Sequence, residues 1–277
     1  MKFIRHPYLP ITNTNLNYYQ TDTESIYLAN KNIYGESWYF FNKKITYSFN
    51  KHGFRMQNEV DSINLDNYIL FFGCSNTVGI GMALEDTFSY RVSQKLNFDY
   101  INCAVGGVSP QYVWGGIVEF LNSVDKYPKI IIINWPSKDR TFYYNDDGLP
   151  IPKIPNSFNL TKQSEFDIMY GEFLKHKQNI ILNFRLIRKS IQLICKNNLI
   201  KLIEFTMRHD GNDEENLMPM TYNEPIHFNR INDVNYVNQY FARDIQRFNV
   251  NNMKKLGHPG LIHQINAEKI ILDKVSK

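Results

Sequence analysis

The feature that most constrains this chain is a set of short apolar runs, each closed by a turn and separated from the next by a helical pattern. Tyr68-Ile-Leu-Phe-Phe72 ends at Gly73, Tyr100-Ile-Asn-Cys103 follows, Ile130-Ile-Ile-Ile133 ends at Asn134, and Leu199-Ile-Lys-Leu-Ile-Glu-Phe205 is the fourth. A strand that is apolar at nearly every position has no solvent face, which fits a sheet buried on both sides. Between the runs, Phe88, Val92 and Leu96 recur on one helical face. Val113, Ile117, Val118 and Leu121 do the same, as do Ile180, Phe184, Ile187, Ile191 and Ile194. Ala267 to Leu272 closes the chain as a further helix. Alternation of this kind predicts an α/β fold, a three-layer α/β/α sandwich around a central parallel sheet.

The ends and the middle read differently. Residues 1–65 are aromatic and polar, and no helical period stands out in them. Ser37-Trp-Tyr-Phe-Phe41 and Lys44-Ile-Thr-Tyr-Ser-Phe49 predict short strands and turns, so a small β-rich N-terminal segment is expected ahead of a main domain spanning 66–277. The stretch 141–178 carries Pro150, Pro152, Pro155 and the acids Asp146 and Asp147. It predicts an irregular surface insertion, a lid or an excursion. Arg208 to Arg230 reads as irregular too.

Composition excludes several function classes. Hydrophobic residues are 43% and aromatic residues 14% of 277, which is globular and not disordered. The excess of 31 Lys+Arg over 27 Asp+Glu is small and dispersed, so a nucleic-acid partner is not expected. The longest apolar run, within Lys129–Asn134, is far too short for a membrane span. Met1-Lys-Phe-Ile-Arg-His-Pro7 has no apolar h-region, so a cytoplasmic or otherwise non-secreted location is expected. Cys74, Cys103 and Cys195 form no Cys-x-x-Cys, in keeping with a reducing compartment. His258 and His263 lack the spacing of a zinc-protease pair and no third ligand clusters with them, so neither a metal nor a cofactor is expected. Oligomeric state is not legible.

In parallel α/β sheets ligands bind beyond the carboxyl ends of the strands. The first run is followed by Gly73-Cys-Ser75-Asn-Thr-Val-Gly79-Ile-Gly81. This is not a P-loop, because Val78 stands where the second Gly belongs and no Lys follows. Leu84 breaks the dinucleotide pattern, and Thr77 breaks the nucleophile-elbow pattern. What survives is Ser75 at the mouth of a strand. A serine hydroxyl needs an imidazole to accept its proton and donors to hold the oxyanion. His258, in the rigid turn Gly257-His-Pro-Gly260, is the candidate base. Gly107 (or Gly106) offers a backbone N–H, and Asn134 a side-chain amide. Each has a plainer reading: Ser75 as a helix cap, His258 as a surface turn, the glycines as a tight turn, Asn134 as a strand terminus. Cys74 reads as a small buried hydrophobe.

These ordered blocks resemble the SGNH/GDSL hydrolases. The family's Gly-Asp-Ser block with a following Thr and Gly reads here Gly73-Cys74-Ser75-Asn76-Thr77-Val78-Gly79. Its second block reads Asn102-Cys-Ala-Val-Gly106-Gly107-Val-Ser109, its third falls on Asn134-Trp-Pro-Ser137, and its fifth on His258-Pro-Gly-Leu-Ile-His263 through Ala267. Asn50-Lys-His-Gly-Phe-Arg55 is similar to a lead-in of some carbohydrate-active members. The likeness covers about residues 50–140 and 240–275. Cys74 replaces the family's Asp, Gly-x-Asn-Asp is absent from the third block with Ser137 a rival to Asn134, and Lys255 stands where the fifth block has its Asp. Asp244 looks like that Asp displaced by an insertion, Ile245 to Gly257; otherwise a Ser–His dyad remains. The resemblance implies the flavodoxin-like fold of the family and a serine ester hydrolase. Its nucleophile is Ser75, its base His258 and its orienting acid Asp244, with Gly107 and Asn134 at the oxyanion. It implies a small-molecule or carbohydrate ester as substrate, with an O-acetyl group the expected acyl. A lipase, thioesterase or acyltransferase on the same scaffold, or an inactive carbohydrate-binding or structural protein, are the alternatives.

Overall fold

In the computed structural model, residues 12–144, 146–148, 150–153, 165–207, 230–246 and 257–277 are described. The chain opens with a three-residue strand, β1 (Thr14–Leu16), then a helix, α1 (Glu24–Tyr34), capped by the Thr23 side chain. A second short strand, β2 (Tyr47–Phe49), pairs antiparallel with β1. The helix corrects the expectation of a β-rich segment, and Ser37–Phe41 lies in turns and not in a strand. The miss has a physical cause: α1 is anchored by a polar group where an aliphatic stripe would be expected. Its buried residues are Asn30 and Tyr34, and the Asn30 amide donates to the carbonyls of Arg243 (3.2 Å) and Ile245 (2.7 Å).

The main body follows the predicted alternation: β3 (Tyr68–Gly73), the single turn α2 (Ser75–Val78), α3 (Phe88–Leu96), β4 (Asp99–Asn102), α4 (Pro110–Leu121) and β5 (Ile130–Asn134). Then come β6 (Thr141–Tyr144), β7 (Pro150–Lys153), α5 (Glu165–Lys175), α6 (Lys177–Asn197), β8 (Lys201–Phe205), α7 (Val234–Tyr240) and α8 (Leu261–Ser276). The central sheet is parallel throughout, in the order β4-β3-β5-β8. The chain steps from β3 to β4 in one direction, then jumps back across β3 to β5. Because such crossovers are right-handed, the reversal sends α3 to one face and α4 to the other. In keeping with this, α3 packs on α8 and α4 on α6, giving the three-layer α/β/α sandwich. Ile69, Leu70, Phe71 and Ile131 to Ile133 are fully buried between those layers, as their lack of a polar face requires.

The excursion after β5 is more regular than its prolines suggest. β6 and β7 form an antiparallel hairpin with Tyr143 opposite Ile151, and α5 follows. Proline is tolerated on an isolated edge strand because the missing N–H need not face a partner. Pro155, and the stretch read as irregular from 208 to 229, lie outside the described residues.

Two buried clusters hold the molecule together. One surrounds the sheet and includes Phe54, Met56, Val60 and Ile63 from ahead of the expected boundary at residue 66. The other joins Trp38, Phe40, Tyr47 and Phe49 to Val78 at the end of α2, to Ile80 and Met82 just after it, and to Val237, Phe241, Ala242 and Ile245. The N-terminal segment therefore does not pack as a unit of its own. It gathers the two chain stretches that carry the candidate site.

Candidate active site

Ser75 lies at the carboxyl end of the central strand β3, where the strand order reverses and a crevice is expected. The turn there is tight. A Cβ on Gly73 would overlap the Thr77 side chain and come within 2.8 Å of the Asn134 carbonyl. Ser75 is not the helix cap; that position belongs to Cys74, which is buried in the main core. Ser75 is instead the first helical residue, partly exposed, with a side chain that makes no hydrogen bond among the described residues.

The strands flanking β3 brace this one-turn helix. From the end of β4, the Asn102 amide donates to the Thr77 carbonyl (3.1 Å). From the end of β5, Asn134 Nδ2 donates to Thr77 Oγ1 (3.1 Å), while Asn134 Oδ1 accepts from Met207 N (3.1 Å). Asn134, expected at the oxyanion, is 1% exposed and engaged at both ends of its amide. Its geometry is that of a brace, and an oxyanion role finds no support in it. Arg55 holds the far end of α2. Its guanidinium donates to the carbonyls of Val78 (3.1 Å), Gly79 (2.6 Å) and Met82 (2.8 Å) and lies over the Tyr47 ring. Burial pulls its pKa down, against the weaker pull upward from the Tyr47, Tyr100 and acidic groups around it. The lead-in motif is thus structural. Asn50 Oδ1 accepts from His52 N and Phe54 N, closing the turn that delivers Arg55 beneath the serine helix.

The candidate base and acid meet although they are 14 residues apart. His258 Nδ1 lies 2.7 Å from Asp244 Oδ2, and His258 N donates to Asp244 Oδ1 (2.9 Å). Asp244 is fully buried and His258 partly exposed. Backbone pairing fixes the approach: Ala242 N donates to the His258 carbonyl (3.0 Å), and Phe241 bridges Pro259. The same stretch is tied to the serine loop, because Arg243 N donates to the Gly81 carbonyl (3.0 Å) while Gly79 N and Ile80 N donate to the Ser75 carbonyl. No hydrogen bond joins Ser75 Oγ to His258 Nε2, and Nε2 has no other partner among the described residues. Gly107, with φ 78°, also keeps its N–H without an acceptor among the described residues.

Burial alone would raise the Asp244 carboxyl. The charge His258 carries when protonated, with hydrogen bonds from His258 and Thr21, outweighs that and holds it below the ordinary value. A carboxylate depressed in the native state stabilises folding above its unfolded value, 3.8, and that contribution is lost as the pH falls through the lower native one. The stability gap between wild type and Asp244→Asn is therefore expected to narrow in urea titrations as the pH falls below about 4. A gap independent of pH would mean that Asp244 is not held ionised.

No family model matches the chain, and no curated protein does. Solved structures do. The chain is similar to structures of the G-D-S-L lipolytic family. One, from Veillonella parvula, is 13% identical over 76% of this chain and 98% of that one, with a TM-score of 0.36. An acetyl xylan esterase from Butyrivibrio proteoclasticus is 17% identical over 76% of this chain and 63% of that one, also at 0.36. A carbohydrate esterase described as having divergent catalytic and non-catalytic binding functions is 14% identical over 78% and 70%, at 0.41.

Two contributors escaped the sequence reading. Arg55 stood in a noticed motif, but nothing in the motif says that its charge is spent on carbonyls. Thr21 carried no signal: its hydroxyl donates to Asp244 Oδ2 (2.6 Å) from a part of the chain more than two hundred residues away.

Proposed function

We propose that this protein is a serine ester hydrolase of the SGNH type. The observation that carries the reading is the buried Asp244 carboxylate on His258 Nδ1, which leaves Nε2 unengaged on a segment bonded to the loop leaving Ser75. An imidazole held in this way presents its second nitrogen as a base. Ser75 Oγ attacks the acyl carbon while His258 Nε2 takes its proton. The oxyanion is met by the N–H groups of Ser75, at the start of α2, and of Gly107. Collapse expels the alcohol with the proton returned by His258. Water, deprotonated by the same nitrogen, then releases the acid and restores Ser75. Without Asn134 the oxyanion site rests on backbone donors.

The proposal extends to small acyl groups, with an O-acetyl carbohydrate as substrate class; this part rests on the sequence resemblance. The test is labelling by a fluorophosphonate together with hydrolysis of nitrophenyl esters of increasing chain length. Label on Ser75 and fastest release from the acetate ester are expected. An unlabelled Ser75 in folded protein refutes the mechanism. A preference for long acyl chains refutes the small-acyl reading alone. Acetyl passed to an added sugar acceptor, in place of free acetate, would make the chain a transferase.

A further inference from the structure

We propose that Thr21 is a positioning residue for the Asp244–His258 pair, which makes the N-terminal hairpin part of the catalytic apparatus. Tyr19 to Asp22 form a two-residue turn closed by Tyr19 N to Asp22 O (2.9 Å) and Asp22 N to Tyr19 O (3.1 Å). Gln20 adopts φ 54°, a left-handed value that residues with a side chain seldom take. Such a conformation persists only where its surroundings enforce it.

The enforcement is visible. Asp22, fully buried, accepts from Arg243 Nε (2.9 Å) and Nη2 (2.6 Å) and from the Tyr47 hydroxyl. Arg243 Nη2 also donates to the Asn17 carbonyl (2.7 Å). Thr21 and Asp22 thus meet Asp244 and Arg243 as two adjacent pairs, one a hydrogen bond and one an ion pair. The ion pair sets the turn, and the turn aims the Thr21 hydroxyl. Its tip also lays the Gln20 carboxamide against Gly106, where a Cβ would overlap it, so the turn reaches from the acid to the loop that carries Gly107.

The chemistry of the contact is specific. Asp244 Oδ2 receives both the Thr21 hydroxyl (2.6 Å) and the imidazole at Nδ1 (2.7 Å), while Oδ1 receives His258 N (2.9 Å). A hydroxyl donating to that oxygen favours the ionised carboxylate. It also fixes the plane in which the carboxylate accepts the Nδ1 proton, keeping that proton on Nδ1 and Nε2 available.

This inference rests on the esterase reading, and its test separates the two. Thr21 is itself exposed, so Thr21→Val, which keeps the shape and removes the donor, is expected to fold. Its kcat should fall roughly tenfold at unchanged KM, about the worth of one hydrogen bond to a charged group. Thr21→Ser, which restores the hydroxyl, should return it. In an Asp244→Asn background Thr21→Val should add no more than ~2-fold, because the group it acts through is gone. Independently of turnover, the downfield proton resonance of His258 Nδ1, assigned by its loss in His258→Gln, should move in Thr21→Val and not in Thr21→Ser. Wild-type rate with an unmoved resonance in Thr21→Val overturns the proposal, as does a Thr21→Ser variant as impaired as Thr21→Val. If the wild type cleaves no ester, the esterase reading falls and the resonance alone still decides whether Thr21 holds the pair.

Discussion

Ser75→Ala is expected to lose ester turnover by a factor on the order of 10⁴ to 10⁶ while unfolding at the wild-type temperature. The two halves of that expectation have separate grounds. Turnover is lost because nothing nearby replaces Oγ: the Thr77 hydroxyl close to the end of β3 is buried and held by Asn134 Nδ2, and Cys74 is buried in the core. Stability is kept because the Ser75 side chain makes no hydrogen bond among the described residues, and α2 is held through Thr77, Gly79 and the strand-end asparagines instead. Surface changes of this kind stay within about 0.5 kcal/mol. His258→Ala should lose as much activity, and the double variant little more, since groups that act as one unit are not additive. The histidine variant is the less clean probe, because it strips a donor from a buried carboxylate and costs stability as well. Wild-type turnover by Ser75→Ala would end the esterase proposal.

Arg55→Met is expected to destabilise the fold strongly, by about 3–5 kcal/mol, through the loss of its buried hydrogen bonds to backbone carbonyls. A buried ion pair can often be replaced by apolar side chains at little cost, since both charges leave together. Arg55 offers no such exchange. Its closest partners are the backbone carbonyls of Val78, Gly79 and Met82, which no substitution removes; Val78 and Met82 lie in the second buried cluster. Each carbonyl left without a donor there costs about 1–3 kcal/mol. At roughly 2–4 °C per kcal/mol for a domain of this size, the melting temperature should drop by about 10 °C. Ser75 labelling should slow in the surviving folded fraction, because Arg55 ends the helix that Ser75 begins. Arg55→Lys should fall between the two proteins, since one ammonium cannot span all three carbonyls. A melting temperature unchanged in Arg55→Met would show that α2 does not depend on this guanidinium.

The architecture was legible for a simple reason. Ile130 to Ile133 and Tyr68 to Phe72 have no polar face, and only a sheet covered on both sides satisfies such strands. The intervening helices announced themselves through aliphatic residues at helical spacing, as Phe88, Val92 and Leu96 do. Where burial is polar the same reasoning fails. Helix α1 is fixed by the Asn30 amide on two carbonyls, and periodicity cannot register that. The prolines of β7 read as breakers because their tolerance depends on lying in an isolated two-stranded hairpin, which is a tertiary fact.

The site divides along the same line. Ser75, His258 and Gly107 (or Gly106) stand in short local patterns whose turns are written in neighbouring residues, so the sequence alone offers them as candidates. Their partners are set by through-space geometry. Asp244 reaches His258 because the backbone of 241–243 pairs with 258–259 and with Gly81. Asn134 serves Thr77 because two parallel strands bring their ends level. Thr21 and Arg55 arrive from an N-terminal stretch that carries no motif for the roles they fill. Hydrophobic patterning determined which segments are buried and in what order. The directions of individual hydrogen bonds, worth little each and unreadable from spacing, were decided only once the two cores had closed around them.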